Sequence, residues 1–168
     1  MIRVLFVCLG NICRSPMAEA VFLHLVENAG LKNEIEVDSA GTGDWFIGAP
    51  AHEETRATLR ANEIEFVGCG RQIRAADFND FDYIITMDNE NLANARALSS
   101  DAKNAKAHIA PLLEYSLEAK ANGIIEVPDP YLVGGFDRVY QLVDSGCRGL
   151  LEEIRREHGI SIIGKSAP

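Results

Sequence analysis

Residues 2–16 have the sequence IRVLFVCLGNICRSP, in which an apolar run, a glycine-containing loop and a helix start follow one another. Ile2 to Val7 is apolar apart from Arg3 and rich in β-branched residues, which predicts a buried strand. Ser15-Pro16 is typical of an N-cap followed by proline at the first helical position. The stretch Met17 to Ala29 has helical spacing and precedes Gly30, so a helix is expected there.

Further strands and helices alternate along the rest of the chain. The predicted strands are 34–39, 83–87 and 105–109, and the predicted helices are 53–62, 89–98 and 136–158. The segment 127–135, with its prolines and glycines, is predicted as a loop. The alternation predicts an α/β fold with a mainly parallel sheet covered on both faces. Ligands of such sheets bind beyond the carboxyl ends of the strands, where residues 8–15, residues 39–46 and Asp88 are expected.

Composition narrows the class of protein. The 168 residues favour one domain, 1–168, and the formal net charge of -9 argues against a general nucleic-acid binder. No apolar run is long enough to span a membrane, and the short run before Cys8 does not resemble a signal peptide. The expected location is therefore the cytoplasm. An anionic ligand would meet a repulsive average field, so a site for one must be locally positive.

The loop from Cys8 to Ser15 has the composition of such a site. Between a strand and a helix N-terminus, successive N–H groups can converge on one anion. Gly10 and Asn11 tolerate the positive φ that this requires, and Arg14 adds a fork of donors suited to two phosphate oxygens. The same field would stabilise a thiolate at Cys8, to which Ser15 could donate a hydrogen bond. Cys8 alone would be interpreted as a packing residue, but the combination favours a nucleophile beside an oxyanion receptor.

Asp129 lies in Pro128-Asp129-Pro130-Tyr131, where the flanking prolines restrict the backbone. A positioned carboxyl group could protonate a phenolic leaving group, whose pKa is about 10. Asp-Pro is also a common turn pair. From the residues alone, the turn interpretation is favoured.

The segment Cys8 to Ser15, continued by Pro16-Met17-Ala18-Glu19-Ala20, resembles the opening of the low-molecular-weight protein tyrosine phosphatases. Further matches occur along nearly the whole chain. They are Asp38-Ser39-Ala40-Gly41-Thr42, Trp45, Arg71-Gln72-Ile73, Asp77-Phe78, Phe81-Asp82, Met87-Asp88, Asn91 and Asp129-Pro130-Tyr131. The resemblance implies a three-layer α/β fold of the flavodoxin-like, phosphotyrosine phosphatase I type, with a four-stranded parallel sheet and helices on both faces.

The resemblance also implies roles for the residues that match the family motifs. Cys8 would attack phosphorus and form a phosphocysteine, Arg14 would clamp the phosphate, and Asp129 would act as general acid and then as general base. The phosphate-binding loop would consist of Leu9, Gly10, Asn11, Ile12, Cys13, Arg14 and Ser15. Asn11, Ser15 and Ser39 would support that loop. The slot for the substrate ring would be lined by Leu9, Ile12, Trp45 and Tyr131.

The implied activity is that of a hydrolase, a protein phosphatase acting on phosphotyrosine-containing proteins, with phosphate as product and competitive inhibitor. No cofactor or metal is expected, and neither nucleic acid nor a membrane is an expected partner. Cys8 and Cys13 are five residues apart in one loop, and the resemblance favours a redox pair in which Cys13 traps an oxidised Cys8. Packing beneath the loop is the alternative role for Cys13.

Three positions depart from the family pattern. Gly68 replaces a common histidine, Phe46 follows Trp45 where bacterial relatives often have histidine, and Leu132 follows Tyr131 where animal members have a second tyrosine. Specificity at the rim of the slot is therefore expected to differ.

Three alternative functions compete with tyrosine phosphatase activity. A thiol-dependent arsenate reductase would need an extra cysteine pair near the end of the third strand, and no cysteine lies between Cys69 and Cys147. A protein-arginine phosphatase would have threonine where this chain has Ile12, whose apolar side chain suits a phenyl ring. A non-catalytic phosphate-binding module would be expected to lose Cys8, Arg14 or Asp129, and all three are present.

Overall fold

The computed structural model describes residues 1–161. Four parallel strands form one sheet in the order β2-β1-β3-β4. The strands are β1 (Ile2–Cys8), β2 (Ile35–Gly41), β3 (Tyr83–Thr86) and β4 (His108–Pro111). The predicted α/β fold with a parallel sheet is therefore confirmed, whereas the last seven residues of the predicted domain 1–168 lie outside the described residues.

Seven helices accompany the strands within residues 1–161. They are α1 (Arg14–Asn28), α2 (Glu53–Ala61), α3 (Asp77–Asp80), α4 (Asn89–Ser99), α5 (Leu117–Ala121), α6 (Pro130–Val133) and α7 (Phe136–His158). A 3-10 turn, Leu112–Tyr115, directly follows β4. The sequence did not predict α3, α5 or this turn, and α6 is a single turn inside the segment predicted as a loop.

The two faces of the sheet carry separate apolar cores. Side chains of β1 alternate between them, because successive residues of a strand point to opposite faces. Val4 and Phe6 join the larger core, with residues of α1 and α7. Leu5 and Val7 join the smaller core, with Phe78 and residues of β3 and α4. Coverage of both faces is thus confirmed.

Two predicted boundaries were wrong for identifiable reasons. The fourth strand was predicted at 105–109, but β4 is His108–Pro111, because its register is set by pairing with Tyr83–Thr86. Ser15 was predicted as the N-cap of α1, but the helix already begins at Arg14. Its hydroxyl is occupied elsewhere, at hydrogen-bond distance from Cys8.

The sheet brings the ends of three strands together. Cys8 is in register with Gly41 of β2, and Val7 with Thr86 of β3, so the loops that follow these strands share one edge. Among the described residues, no helix has the length and apolar character to cross a membrane.

Candidate active site

The loop between β1 and α1 curls around the sulfur of Cys8. Asn11 has a φ of 56°, and its backbone N–H donates to Cys8 Sγ at 3.3 Å. The hydroxyl Oγ of Ser15 lies 3.0 Å from the same sulfur. Since α1 begins at Arg14, the sulfur also lies close to the N-terminus of a fifteen-residue helix. One N–H donor, one hydroxyl group and a helix N-terminus therefore surround this sulfur.

Gly10 does not have a positive φ, which corrects the prediction made for it. Only Asn11 of the two residues has the left-handed conformation. A Cβ at Gly10 would lie 3.1 Å from Cδ2 of Phe46, and a Cβ at Gly41 would lie 2.7 Å from the carbonyl oxygen of Leu9. The loop is therefore packed tightly between the ring of Phe46 and the end of β2.

Asn11 holds the back of the loop. Its Nδ2 donates to Ser15 Oγ at 2.8 Å and to Ser39 Oγ at 2.9 Å. Its Oδ1 accepts the backbone N–H of Arg71 at 2.9 Å. Because a backbone N–H can only donate, this bond fixes which end of the amide faces the serines. The three residues predicted as loop support, Asn11, Ser15 and Ser39, thus form one buried cluster.

Arg14 lies in the cavity wall with its side chain 3% exposed. Its Nη1 donates to Asp88 Oδ2 at 2.6 Å and to the carbonyl oxygen of Val127 at 3.0 Å. Its Nη2 is 3.5 Å from Asp129 Oδ2. Burial alone would lower the pKa of Arg14, but the charges of Cys8 and the two carboxylates outweigh it and raise that pKa. The guanidinium of Arg14 is therefore positively charged, and its orientation is set by Asp88 and Asp129.

Asp129 is held by its own backbone as well as by Arg14. Its Oδ1 accepts the N–H of Tyr131 at 3.1 Å, so the side chain caps the single turn α6 while Pro130 occupies the first helical position. The side chain is 23% exposed. The carboxyl group is thus fixed in direction and remains open to solvent.

A cavity of about 260 Å³ brings the predicted catalytic and slot residues together. It is lined by Cys8, Leu9, Gly10, Ile12, Cys13, Arg14, Trp45, Phe46, Asp129, Tyr131 and Leu132. Asn11, Ser15 and Ser39 lie behind the loop and do not line it. Trp45 and Tyr131 are 67% and 57% exposed and form the rim. The ring of Phe46 packs edge-to-face with that of Tyr131 at a centroid distance of 6.1 Å. Phe46 and Leu132, absent from the predicted slot, therefore belong to its wall.

Cys13 is the second cysteine of the loop. Like Cys8, it is free and buried, and it lines the cavity. Burial, followed by the charge of Cys8, raises the pKa of Cys13 to about 12. Cys13 therefore stays a neutral thiol near pH 7.

The sequence did not assign roles to several residues that hold the site. Asp88 was placed at the right edge of the sheet but was not paired with Arg14, and Glu19 and Arg71 were noted only within matched segments. Their contacts join residues that are 20 to 74 positions apart, and no local pattern encodes such contacts. Among residues 1–161, no cluster of three or more His, Cys, Asp or Glu side chains is arranged to hold a metal ion.

The protein combines a parallel-sheet α/β fold with a cavity lined by a cysteine-containing loop, an arginine and a carboxyl group. This fold and this site are those of a phosphatase. The family model for low molecular weight phosphotyrosine protein phosphatases matches residues 3–159. The chain belongs to this family.

Similar proteins cover nearly the whole chain. The low molecular weight protein-tyrosine-phosphatase YfkJ of Bacillus subtilis is 49% identical, over 94% of this chain and 98% of its own. The protein-tyrosine-phosphatase PtpA of Staphylococcus saprophyticus is 41% identical, over 94% and 96%. The crystal structure of YfkJ superposes with a TM-score of 0.87, over 94% of this chain and 96% of that one. A Drosophila arginine phosphatase, 35% identical, gives 0.83 over 90% and 97%.

Proposed function

We propose that this enzyme hydrolyses phosphotyrosine in proteins through a phosphocysteine at Cys8. One observation carries the proposal: a single apolar-walled cavity is lined by Cys8, Arg14 and Asp129 together. Nucleophile, positive charge and proton donor would then face the same phosphoryl group.

In the first step, the thiolate of Cys8 attacks phosphorus while the bond to the phenolic oxygen breaks. Asp129 gives its proton to that oxygen, so tyrosine leaves as a neutral phenol. Arg14 and the loop N–H groups hold the equatorial oxygens, where charge lies in the transition state. The proximity of Arg14 Nη2 to Asp129 Oδ2, at 3.5 Å, supports action at one phosphoryl group.

In the second step, water attacks the phosphocysteine. Asp129, now a carboxylate, accepts the proton from that water, and the sulfur leaves as a thiolate. Asn11 N–H and Ser15 Oγ, at 3.3 and 3.0 Å from the sulfur, are placed to stabilise this leaving group. Phosphate is then released, and as a product that fits the loop it should inhibit competitively.

The walls of the cavity support phosphotyrosine as the substrate. A phosphotyrosine side chain is long and flat, which suits a cavity whose rim is formed by the rings of Trp45 and Tyr131. Ile12 is buried and apolar, which suits the flat face of a phenyl ring. One-domain organisation over 1–168 and a cytoplasmic location stay predictions, as does the absence of nucleic-acid, membrane and cofactor partners.

A protein-arginine phosphatase is the second candidate, because the arginine phosphatase of Drosophila has a similar structure. Ile12 argues against it, since an apolar side chain gives the guanidinium of phosphoarginine no hydrogen-bond partner. We expect Ile12→Thr to raise the ratio of phosphoarginine to phosphotyrosine hydrolysis, and Ile12→Val to leave that ratio near its original value. Specificity constants for both substrates measure it, and an equal ratio in both variants would remove Ile12 as the selector.

The function is tested by hydrolysis of a phosphotyrosine peptide in the presence of EDTA, with matched phosphoserine and phosphoarginine peptides. We expect phosphotyrosine to have the highest kcat/KM. Cys8→Ser should abolish turnover and retain phosphate binding, because a hydroxyl is not ionised at neutral pH. Cys69→Ser, at an exposed free cysteine, is the matched control and should retain full activity. Turnover by Cys8→Ser within tenfold of the original chain would contradict the proposal.

A further inference from the structure

Glu19 points its carboxylate at the back of the phosphate-binding loop. It lies on α1, and its Oε2 is 2.5 Å from Ser39 Oγ. Burial raises its pKa to about 7, and the charge of Asp38 adds to this, while the bond from Ser39 and the charge of Arg71 oppose it.

The directions of the hydrogen bonds follow from one fixed amide. Since Asn11 presents its NH₂ group to both serines, each serine oxygen accepts one bond and keeps its own hydrogen to donate. Ser39 donates its hydrogen to Glu19. Ser15 is then free to donate to the sulfur of Cys8, which is closer at 3.0 Å than its other acceptor, the carbonyl oxygen of Ala40, at 3.4 Å.

We propose that Glu19 is a positioning residue for the reaction of Cys8. The Glu19 carboxylate is the acceptor that directs the hydroxyl of Ser39 away from Asn11. The NH₂ group of Asn11 then donates to two acceptors, the hydroxyl oxygens of Ser15 and Ser39. Ser15 can therefore donate its own hydrogen to the sulfur of Cys8. The inference rests on the proposed function, because it assigns Glu19 a part in the same reaction.

Protonation of Glu19 would change these directions. A neutral carboxyl group can itself donate to Ser39 Oγ, where its O–H competes with the Nδ2–H of Asn11 for the same acceptor. The hydrogen of Ser39 then loses its charged acceptor. The charged groups around Glu19 are Asp38 on β2 and Arg71 in the loop before α3. Arg71 is in turn held at 2.9 Å by Asp38 and at 3.0 Å by the buried Asp77. Weaker hydrogen bonds behind the loop should slow the steps in which the sulfur of Cys8 carries charge. The affinity of Arg14 for phosphate should change less.

The test compares Glu19→Gln with the original chain over pH 5.5–8.5, using an aryl phosphate. We expect kcat to fall about fivefold at pH 8, with the inhibition constant of inorganic phosphate nearly unchanged. The ratio of the two kcat values should approach one below pH 6, where Glu19 is already protonated, and rise with a midpoint near its pKa of about 7. Glu27→Gln, an exposed glutamate on the same helix paired with Lys32, is the matched control and should give a flat ratio near one.

A double-mutant cycle and a melting curve complete the test. If Glu19 acts through Ser39, then Glu19→Gln should have no further effect on kcat in a Ser39→Ala background. Ionised Glu19 opposes folding because its pKa is raised, so Glu19→Gln should have an equal or higher Tm at pH 8 despite its lower kcat. A flat kcat ratio, additive effects in the cycle, or a fall in Tm that parallels the fall in kcat would overturn the inference. No turnover by the original chain would instead refute the proposed function.

Discussion

Two arginines on opposite sides of the loop are each held by two aspartates. On the cavity side, Arg14 contacts Asp88 and Asp129. Behind the loop, Arg71 contacts Asp38 and Asp77, and its backbone N–H fixes Asn11. The contacts are alike, but only Arg14 lines the cavity. An ion pair on the cavity side can thus serve chemistry, whereas the same pair behind the loop serves geometry.

Substituting each arginine by lysine should separate the two roles most strongly. Arg14→Lys loses the planar fork that fits two phosphate oxygens, so we expect kcat/KM to fall about 10²–10³-fold. Arg71→Lys should lower kcat/KM by about tenfold or less, since Asn11 keeps its bond to the backbone N–H. It should lower the free energy of unfolding by about 1–3 kcal/mol, because the buried Asp77 loses a donor. Steady-state kinetics measure kcat/KM, and urea unfolding measures the free energy of unfolding. Equal losses of kcat/KM in the two variants would contradict separate roles for the two arginines.

Asp129 should show an effect of similar size, and only on the cavity side should the effect depend on the leaving group. We expect Asp129→Asn to slow aryl phosphates with basic leaving groups by about 10²–10⁴-fold and activated ones far less, since the acid matters most when the phenolate is basic. Ser39→Ala, behind the loop, is the control and should lose a similar factor across the series. An equal loss across the series for Asp129→Asn would exclude it as the acid.

Cys13 offers the smallest effect on catalysis and a test of redox control. We expect Cys13→Ser to keep turnover near the original value but to lose recovery by dithiol reductants after peroxide, because no thiol remains to trap a sulfenic acid at Cys8. Cys69→Ser should recover as the original chain does. Full recovery of Cys13→Ser would show that Cys13 only packs beneath the loop, which its raised pKa of about 12 also permits.

The sequence predicted the cavity side of the loop better than its back. Strand β1 and the residues after it form a continuous pattern, so Cys8, Arg14 and their loop were evident from local spacing. Ser15 was predicted both as a helix cap and as a hydrogen-bond donor to the sulfur of Cys8, and the fold uses its hydroxyl at the sulfur. The short element α3 has no apolar period of its own, and tertiary contacts of Phe78 in the smaller core decide it.

The same contrast holds for single residues of the site. The contact between Asn11 and Arg71 joins residues 60 positions apart and exists only after the sheet has formed. Phe46 was noted as a departure from the family, yet its contact with Gly10 and Tyr131 follows from the path of a loop that no local pattern specifies. Arg71 and Phe46, which act through distant contacts, are thus among the residues that the sequence left without a role.

Trapping the phosphocysteine intermediate shows whether phosphate passes through Cys8. The chain is mixed with an activated aryl phosphate, quenched by denaturant within one turnover, digested and analysed by mass spectrometry. We expect one added phosphoryl group on the peptide that contains Cys8, and none in Cys8→Ser. A phosphoryl group on another residue, or turnover in Cys8→Ser at the rate of the original chain, would contradict phosphoryl transfer through Cys8.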